Sequence, residues 1–129
     1  MRAAKPTRRA RKPARRRRFA SLKVSDGFRT FVLDQLEELG DVTPKAMFGG
    51  VGLYKSGTFF AILARDTLFL RVDDRTVKDY TDAGMKPFRP FPGRSGSKHY
   101  YAVPLSVLES QPELTDWARK AVAAARRSC

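Results

Sequence analysis

Hydrophobic residues first recur at a helical spacing between Ser25 and Gly40. The apolar positions follow the spacing i, i+3, i+4, i+8 and i+11, which places them on one face of an amphipathic helix; they are Phe28, Phe31, Val32, Leu36 and Leu39. Ser25 is suited to cap this helix at its N-terminus, and Gly40 is suited to end it. The pattern therefore predicts an amphipathic helix between these two residues.

From residue 46 to residue 72 the pattern changes to short apolar runs separated by turn residues. We predict three strands here, over residues 46–54, 58–63 and 67–72. Lys55-Ser56-Gly57 is typical of a tight turn, and short connections between consecutive strands imply antiparallel pairing. In the third strand apolar residues alternate with more polar ones, which predicts a sheet that is covered on one side.

The second half of the chain predicts a short helix, two further strands and a long final helix. The short helix begins at Asp73 or Asp74, residues 85–91 form a weak strand that contains two prolines, and residues 98–103 form a clearer strand. A capping box at Ser110 begins the final helix, whose apolar stripe is Leu114, Trp117, Ala118, Ala121, Val122 and Ala125. The order helix, three strands, helix, two strands, helix predicts an α+β fold with an antiparallel sheet.

Charge is distributed very unevenly along the chain. Its 26 lysines and arginines against 13 acids give a net charge of +13. Residues 1–23 hold eleven of the bases and no acid, so the rest of the chain is nearly neutral, with fifteen bases against thirteen acids. Pro6 and Pro13 break helices, and the like charges repel one another. We therefore predict a disordered, Arg-rich tail over residues 1–23 and one folded domain over residues 24–127.

The basic tail admits several interpretations. Arg16-Arg17-Arg18-Phe19 resembles a twin-arginine signal, but the apolar stretch that a signal peptide needs does not follow it. An organellar presequence would have an apolar face, which the tail lacks. Two hypotheses stay open: a solvated polycation without a dedicated partner, and an arm that contacts nucleic-acid phosphates without reading sequence. The candidate phosphate-binding residues are Arg8, Arg9, Arg11, Lys12, Arg15, Arg16, Arg17 and Arg18.

The glycine-rich run from Phe48 to Gly52 is the most unusual motif of the folded part. Its spacing fits neither a phosphate-binding loop nor a dinucleotide-binding turn. Glycines permit a bulge, a positive φ angle or the close approach of another chain. One hypothesis is a bulged strand beneath a helix; the other is a partner surface formed by Phe48, Gly49, Gly50 and Gly52.

Candidate chemistry is sparse elsewhere. The single histidine, His99, has no neighbouring nucleophile or metal ligand in sequence, and the single cysteine is Cys129. We therefore predict neither a catalytic site nor a bound metal or cofactor. Strand aromatics near two cations could instead stack on single-stranded nucleic acid, although they are also ordinary core residues; they are Phe59, Phe60, Phe69, Tyr100 and Tyr101, with Arg71 and Lys98 nearby.

Several motifs together resemble the N-terminal domain of the TfoX/Sxy family. The most specific is Met47-Phe48-Gly49-Gly50-Val51-Gly52-Leu53-Tyr54. The others follow in the same order and with similar spacing: Phe59-Phe60-Ala61, Leu68-Phe69-Leu70-Arg71-Val72-Asp73, Gly84, Pro87-Phe88, Tyr100-Tyr101-Ala102-Val103-Pro104 and Trp117-Ala118-Arg119-Lys120-Ala121. The resemblance implies an α+β fold similar to that of secretion chaperones. Family regulators usually carry a second, helical domain, whereas this chain stops at Cys129 and adds the Arg-rich tail, so we expect a single-domain relative.

The resemblance also implies a regulatory rather than an enzymatic role. The named family members regulate bacterial competence as transcriptional co-activators alongside a cyclic-AMP receptor protein. By this analogy we expect a cytoplasmic protein that contacts a transcription regulator, with non-specific DNA contact through the tail. The alternative is a protein-interaction adaptor without a DNA role. No apolar run approaches the roughly 18 residues of a membrane-spanning helix, so we expect no membrane partner.

Overall fold

One antiparallel sheet organises the part of the chain that the structure describes. The computed structural model describes residues 22–90 and 97–128. Its elements are α1 (Asp26–Gln35), a 3-10 turn (Glu37–Leu39), β1 (Val42–Met47), β2 (Gly50–Lys55), β3 (Thr58–Ala64), β4 (Thr67–Arg71), α2 (Val77–Asp82), β5 (Pro87–Phe88), β6 (Ser97–Ala102), α3 (Leu105–Leu108) and α4 (Gln111–Arg127). The six strands lie in the order β1-β2-β3-β4-β6-β5, and each neighbouring pair is antiparallel. The α+β class predicted from sequence is therefore confirmed.

The predicted order of elements was wrong at two places. The short helix α3 between β6 and α4 was not predicted. Four strands, rather than three, separate the first two helices, because the run predicted as one strand over residues 46–54 turns back on itself at Phe48 and Gly49. The additional strand is β1, which includes Pro44. Proline argues against a central strand but fits an edge strand, where its missing N–H breaks no ladder bond.

The free edge of β1 is interrupted by Pro44. The Ser56 N–H donates to the Asp41 carbonyl at 3.1 Å, so in the alternating antiparallel pattern the backbone groups of Val42, Pro44 and Ala46 point away from β2. Pro44 removes the middle donor from this outward row. The edge is therefore poorly suited to pairing with a further strand, a common protection of exposed sheet edges.

Capping side chains begin the two longest helices where the sequence predicts. Ser25 Oγ accepts a hydrogen bond from the Phe28 N–H at 3.2 Å, and Ser110 Oγ accepts one from the Glu113 N–H at 3.4 Å. Gly40 follows the 3-10 turn with a φ of 78°, so the chain leaves the first helical segment at the predicted residue although α1 itself ends earlier. Local sequence signals therefore set these ends.

The main core lies between the sheet and the helices, on what we call the helical face. The largest fully buried side chains there include Leu36 at the C-terminal cap of α1, Phe60 of β3, Leu70 of β4 and Leu114 of α4. A register shift opposite Leu53 and Tyr54 marks a bulge in β3, so that Phe60 and Ala61 both contribute to this core although they are consecutive. The predicted apolar stripe of α4 packs here.

The opposite side of the sheet, which we call the open face, is more apolar than the sequence predicts. A second cluster of buried residues lies on it: Leu22, Ile62, Ala64, Phe69, Phe88 and Tyr100. No helical residue belongs to this cluster, yet each of its members is at most 8% exposed, and Leu22, which precedes α1, packs among them. The folded part thus includes Leu22, which the sequence assigned to the tail. Within residues 22–90 and 97–128, no helix combines the length and apolarity needed to cross a membrane.

Candidate functional site

The β1–β2 hairpin ends in a two-residue turn formed by Phe48 and Gly49. Met47 pairs with Gly50 across the turn, and the φ angles of Phe48 and Gly49 are 51° and 87°. Two positive φ angles define a type I′ turn, whose twist matches that of the flanking strands. The predicted glycine-rich bulge is therefore a tight hairpin tip, and it projects from the edge of the sheet.

Phe48 is placed where the fold gains nothing from a phenyl ring. Its side chain is 88% exposed, the most exposed large hydrophobic residue in the described ranges. The first position of a type I′ turn favours Asn, Asp or Gly, and the left-handed region is unfavourable for a bulky residue. The two following hairpins have the same kind of turn but place Ser56 and Arg65 at this position.

The glycines behind the tip have packing roles. A Cβ atom on Gly50 would lie 2.6 Å from the Leu63 carbonyl oxygen, and one on Gly52 would lie 2.9 Å from Met47 Sδ and 3.0 Å from a ring carbon of Phe59. Both glycines are buried, whereas Phe48 and Gly49 are exposed. Of the four candidate partner-binding residues, the structure thus presents two to solvent and uses two to seat the hairpin against β3.

The sheet separates the aromatic residues that the sequence grouped as a possible stacking platform. Phe60 and Tyr101 belong with the core of the helical face, whereas Phe59, Phe69 and Tyr100 lie on the open face. Alternation alone separates Phe59 from Phe60 and Tyr100 from Tyr101, but the register between the strands decides which of them share a face. The open face also gains residues that the sequence did not nominate, chiefly Lys45 and Tyr54.

A further cavity lies beside the end of β4, where His99 is found. Its volume is about 500 Å³, and its lining includes Arg71, Asp73, Lys98 and His99. The carboxylate of Asp73 is occupied by Arg127, whose Nη2 atom lies 2.6 Å from Asp73 Oδ2. Among the described residues, no three histidine, cysteine, aspartate or glutamate side chains lie close enough together to hold a metal ion.

Burial and a nearby arginine act in opposite directions on two ionisable groups of this region. For Asp73, burial favours the neutral form, but hydrogen bonds from Arg127 and from the Arg75 N–H outweigh it and lower the pKa of the carboxyl. For Tyr100, burial dominates and raises the pKa of the phenol, while a hydrogen bond and the charge of Arg71 oppose the rise. Asp73 is therefore held ionised as a structural partner of Arg127.

The candidate phosphate-binding residues of the tail, from Arg8 to Arg18, lie outside the described residues, as do residues 91–96 and Cys129. The described domain itself holds a nearly balanced number of charges. Any contact between the tail and nucleic acid therefore stays a prediction from composition.

These observations define a small α+β domain built on one antiparallel six-stranded sheet with helices on one face. The family model described as TfoX N-terminal domain matches residues 34–125 of the 129-residue chain. The chain therefore belongs to the TfoX N-terminal domain family, a TfoX-like regulatory family that is not known as an enzyme family. A comparison with curated proteins gives no match. The match begins within α1 and ends within α4, so it includes the hairpin tip.

Proposed function

We propose that this protein is a non-enzymatic regulatory binding protein whose β1–β2 hairpin tip docks on a protein partner, with a transcription regulator as the expected class. The Arg-rich tail adds sequence-independent contact with DNA phosphates. Membership of the TfoX N-terminal domain family supports the regulatory role, and the hairpin geometry supports the docking surface.

The exposed ring of Phe48 is the observation that carries the proposal. A phenyl ring in the left-handed region gives up backbone stability and, at 88% exposure, regains little by burial. Such a residue contributes to binding instead, because aromatic side chains bury 150–250 Å² each and are enriched among the residues that dominate interface energies. Because Phe48 at this position costs the fold stability, its side chain is better explained by contact with a partner.

The tip is also held in a fixed position before any partner arrives. The carbonyl of Leu63 and the backbone of Leu22 approach Gly50 closely, so the base of the turn rests against β3 and the entering chain. Rigid presentation lowers the entropy that ordering an interface costs. The hairpin is therefore suited to insert Phe48 into an apolar pocket of a partner.

Site-specific photo-crosslinking in cells tests the docking surface. A benzophenone amino acid at position 48 is compared with the same amino acid at position 31, where Phe31 of α1 is 40% exposed. We expect a discrete protein adduct from position 48 that position 31 does not give. Identical adducts from both positions, or none from position 48, would contradict docking through the tip.

A Phe48→Asn variant separates binding from folding. Asn-Gly is the favoured dipeptide for a type I′ turn. We therefore expect the free energy of unfolding of this variant to rise by up to about 1 kcal/mol, which shows as a higher denaturant midpoint, while the variant loses the crosslinked partner. Affinity for that partner is then measured with purified proteins. A variant that is more stable and still binds with unchanged affinity would remove Phe48 from the interface.

A further inference from the structure

We propose that the open face of the sheet binds single-stranded nucleic acid at its accessible end, where the rings of Tyr54 and Phe59 stack on unpaired bases and Lys45 contacts the backbone. This site lies on a different surface from the hairpin tip and takes a different class of ligand. It is also independent of the tail, because its residues all belong to the strands.

A continuous row of rings crosses the open face. The ring centroids of Tyr54 and Phe59 lie 5.1 Å apart, and those of Phe59 and Tyr100 lie 5.5 Å apart, with tilts of 30° and 39° between the ring planes. Tyr54 and Phe59 are only partly buried, so this end of the row remains accessible, whereas Tyr100 is buried. Tyr54 and Phe59 belong to the neighbouring strands β2 and β3, whereas β4 separates Phe59 from Tyr100 on β6. Accessible rings on neighbouring strands are a feature of proteins that stack successive bases.

A cation lies over the ring at each end of the row, and one of the two is free to contact a ligand. Lys45 is exposed, and its Nζ atom lies 4.9 Å from the centroid of the Tyr54 ring. The guanidinium carbon of Arg71 lies 5.6 Å from the centroid of the Tyr100 ring, but Arg71 Nη2 donates to Ser128 Oγ at 2.8 Å. A cation placed over an aromatic face is favourable in itself, and beside stacked bases it also neutralises phosphates.

The charges of the strands are all of one sign. The six strands hold four lysines or arginines and no aspartate or glutamate. One of the four, Lys55, is occupied on the helical face, where its Nζ atom donates to the carbonyls of Leu39 and Gly40 at 2.8 Å. The domain's acids lie in helices and connections instead. Because Arg71 and Lys98 line the cavity that contains Asp73, the strand cation available beside the accessible rings is Lys45, which makes this end of the open face complementary to an anion.

Gly52 keeps the accessible end of the row compact. Any side chain at this position would meet Met47, Phe59 and Tyr54, whose atoms lie 2.9 to 3.5 Å from the position of a Cβ atom. The absence of a Cβ lets the Met47 thioether and the two rings close over the backbone of β2. The result is a surface of adjoining apolar side chains rather than separate projections.

Single strands fit this face better than the other polyanions do. The bases of a duplex are already stacked on each other and cannot lie on protein rings without leaving the helix. An acidic protein would use the cations but has no flat rings to match the row. Stacking on rings tolerates any base, so we expect little dependence on sequence.

The test measures the affinity of the full-length chain for two oligonucleotides of equal length and charge. One is a deoxythymidine oligonucleotide, and the other has abasic sites in place of its bases. The tail contacts phosphates and cannot distinguish them, whereas a stacking face can. We expect the base-bearing strand to bind at least roughly 5-fold more tightly, and up to roughly 150-fold for each stacked base. Equal affinities would overturn the proposal.

Two variants locate the preference on the open face. Tyr54→Leu keeps an apolar side chain but removes a ring, and Lys45→Gln removes an exposed cation; Lys120→Gln on α4 is the matched control for lost charge. We expect Tyr54→Leu to reduce the preference for bases roughly 5-fold or more and Lys45→Gln to weaken both oligonucleotides more than Lys120→Gln does. A base preference unchanged in Tyr54→Leu, with circular dichroism showing an intact fold, would place stacking elsewhere and refute this site.

A polyglutamate of matched length completes the test. We expect it to bind more weakly than the deoxythymidine oligonucleotide, and its binding not to change in Tyr54→Leu. If polyglutamate binds the full-length chain as tightly as the oligonucleotide, and Tyr54→Leu weakens both alike, the face recognises acidic proteins and the nucleic-acid proposal is wrong.

Discussion

At the scale of single residues, the glycines of the described domain differ sharply in what they do. Gly49 is needed for its backbone conformation, since its φ is 87°. Gly50 is needed for space, because a backbone oxygen lies where its Cβ would be. Gly27 in the first turn of α1 has nothing within 4 Å of the corresponding position. A glycine-rich motif is therefore not one property but several, and only contacts distinguish them.

This difference gives a matched pair of substitutions. Gly50→Ala should destabilise the domain by about 1–3 kcal/mol, because the Leu63 carbonyl that it meets belongs to the central strand β3 and cannot move freely. Gly27→Ala should leave stability unchanged or raise it by up to about 1 kcal/mol, since alanine is the better helix former. Urea unfolding of both variants measures the two free energies. Equal effects would show that the close approach at Gly50 is absent in solution.

At the scale of elements, the end of α4 is tied to the connection between β4 and α2. Arg127 Nε donates to Asp73 Oδ2 at 2.7 Å, and Asp73 Oδ1 accepts from the Arg75 N–H at 3.0 Å. One carboxylate thus orders the segment before α2 and holds the last turn of the longest helix. Its pKa is lowered from 3.8, because these hydrogen bonds outweigh the desolvation that opposes them.

The lowered pKa of Asp73 predicts a stability difference that depends on pH. A carboxyl whose pKa is lower in the folded state stabilises the fold above its unfolded-state value of 3.8, and this contribution is lost as the pH falls through the lower folded-state pKa. At pH 7, Asp73→Asn should lower the free energy of unfolding by up to about 1 kcal/mol, as expected for a partly exposed pair. The difference in the free energy of unfolding between Asp73→Asn and wild type should disappear in strong acid.

Asp116→Asn is the control for this measurement, because Asp116 lies 3.8 Å from Lys120 in an exposed pair on the same helix. We expect Asp116→Asn to lower the free energy of unfolding by only a few tenths of a kcal/mol at pH 7. Thermal unfolding of the three proteins between pH 7 and pH 2 makes the comparison. A gap between wild type and Asp73→Asn that widened in acid would be inconsistent with the assigned hydrogen bonds.

At the scale of elements, local sequence patterns were sufficient to predict some features of the fold and not others. The caps at Ser25 and Ser110 and the apolar stripe of α4 are local patterns, and the structure has them where they were predicted. The division of residues 42–55 into two strands was missed, because Phe48 is not a typical turn residue and a proline such as Pro44 is unfavourable inside most strands. Both exceptions depend on position at the sheet edge, which a local pattern does not reveal.

At the scale of the whole molecule, charge divides the chain into a basic tail and a nearly neutral domain. This division predicts that duplex DNA binding depends on the tail and on salt. Replacing the eight tail residues from Arg8 to Arg18 named above by glutamine in the full-length chain should make binding much less sensitive to salt. The slope of log K against log salt should fall by as much as about 7, at roughly 0.9 for each phosphate contact.

Electrophoretic mobility shifts over a range of salt concentrations measure that slope. The same substitutions should leave the preference for base-bearing single strands intact, because that preference is assigned to the open face. Duplex binding with an unchanged slope would show that the tail does not contact the phosphates. Failure of the unsubstituted chain to bind duplex at low salt would leave the adaptor hypothesis, with docking through Phe48 alone.

The sequence by itself determined the fold class, the two longest helices with their caps, and the concentration of basic charge in residues 1–23, because each follows from local periodicity or composition. Only the tertiary structure decided which aromatic residues share a face, because that depends on the register between strands. It also decided that Phe48 stands exposed at a hairpin tip, since the pairing of Met47 with Gly50 joins β1 to β2. Which residues share a face and which strand forms an edge depend on how the strands pair, so the pattern of a single strand does not determine them.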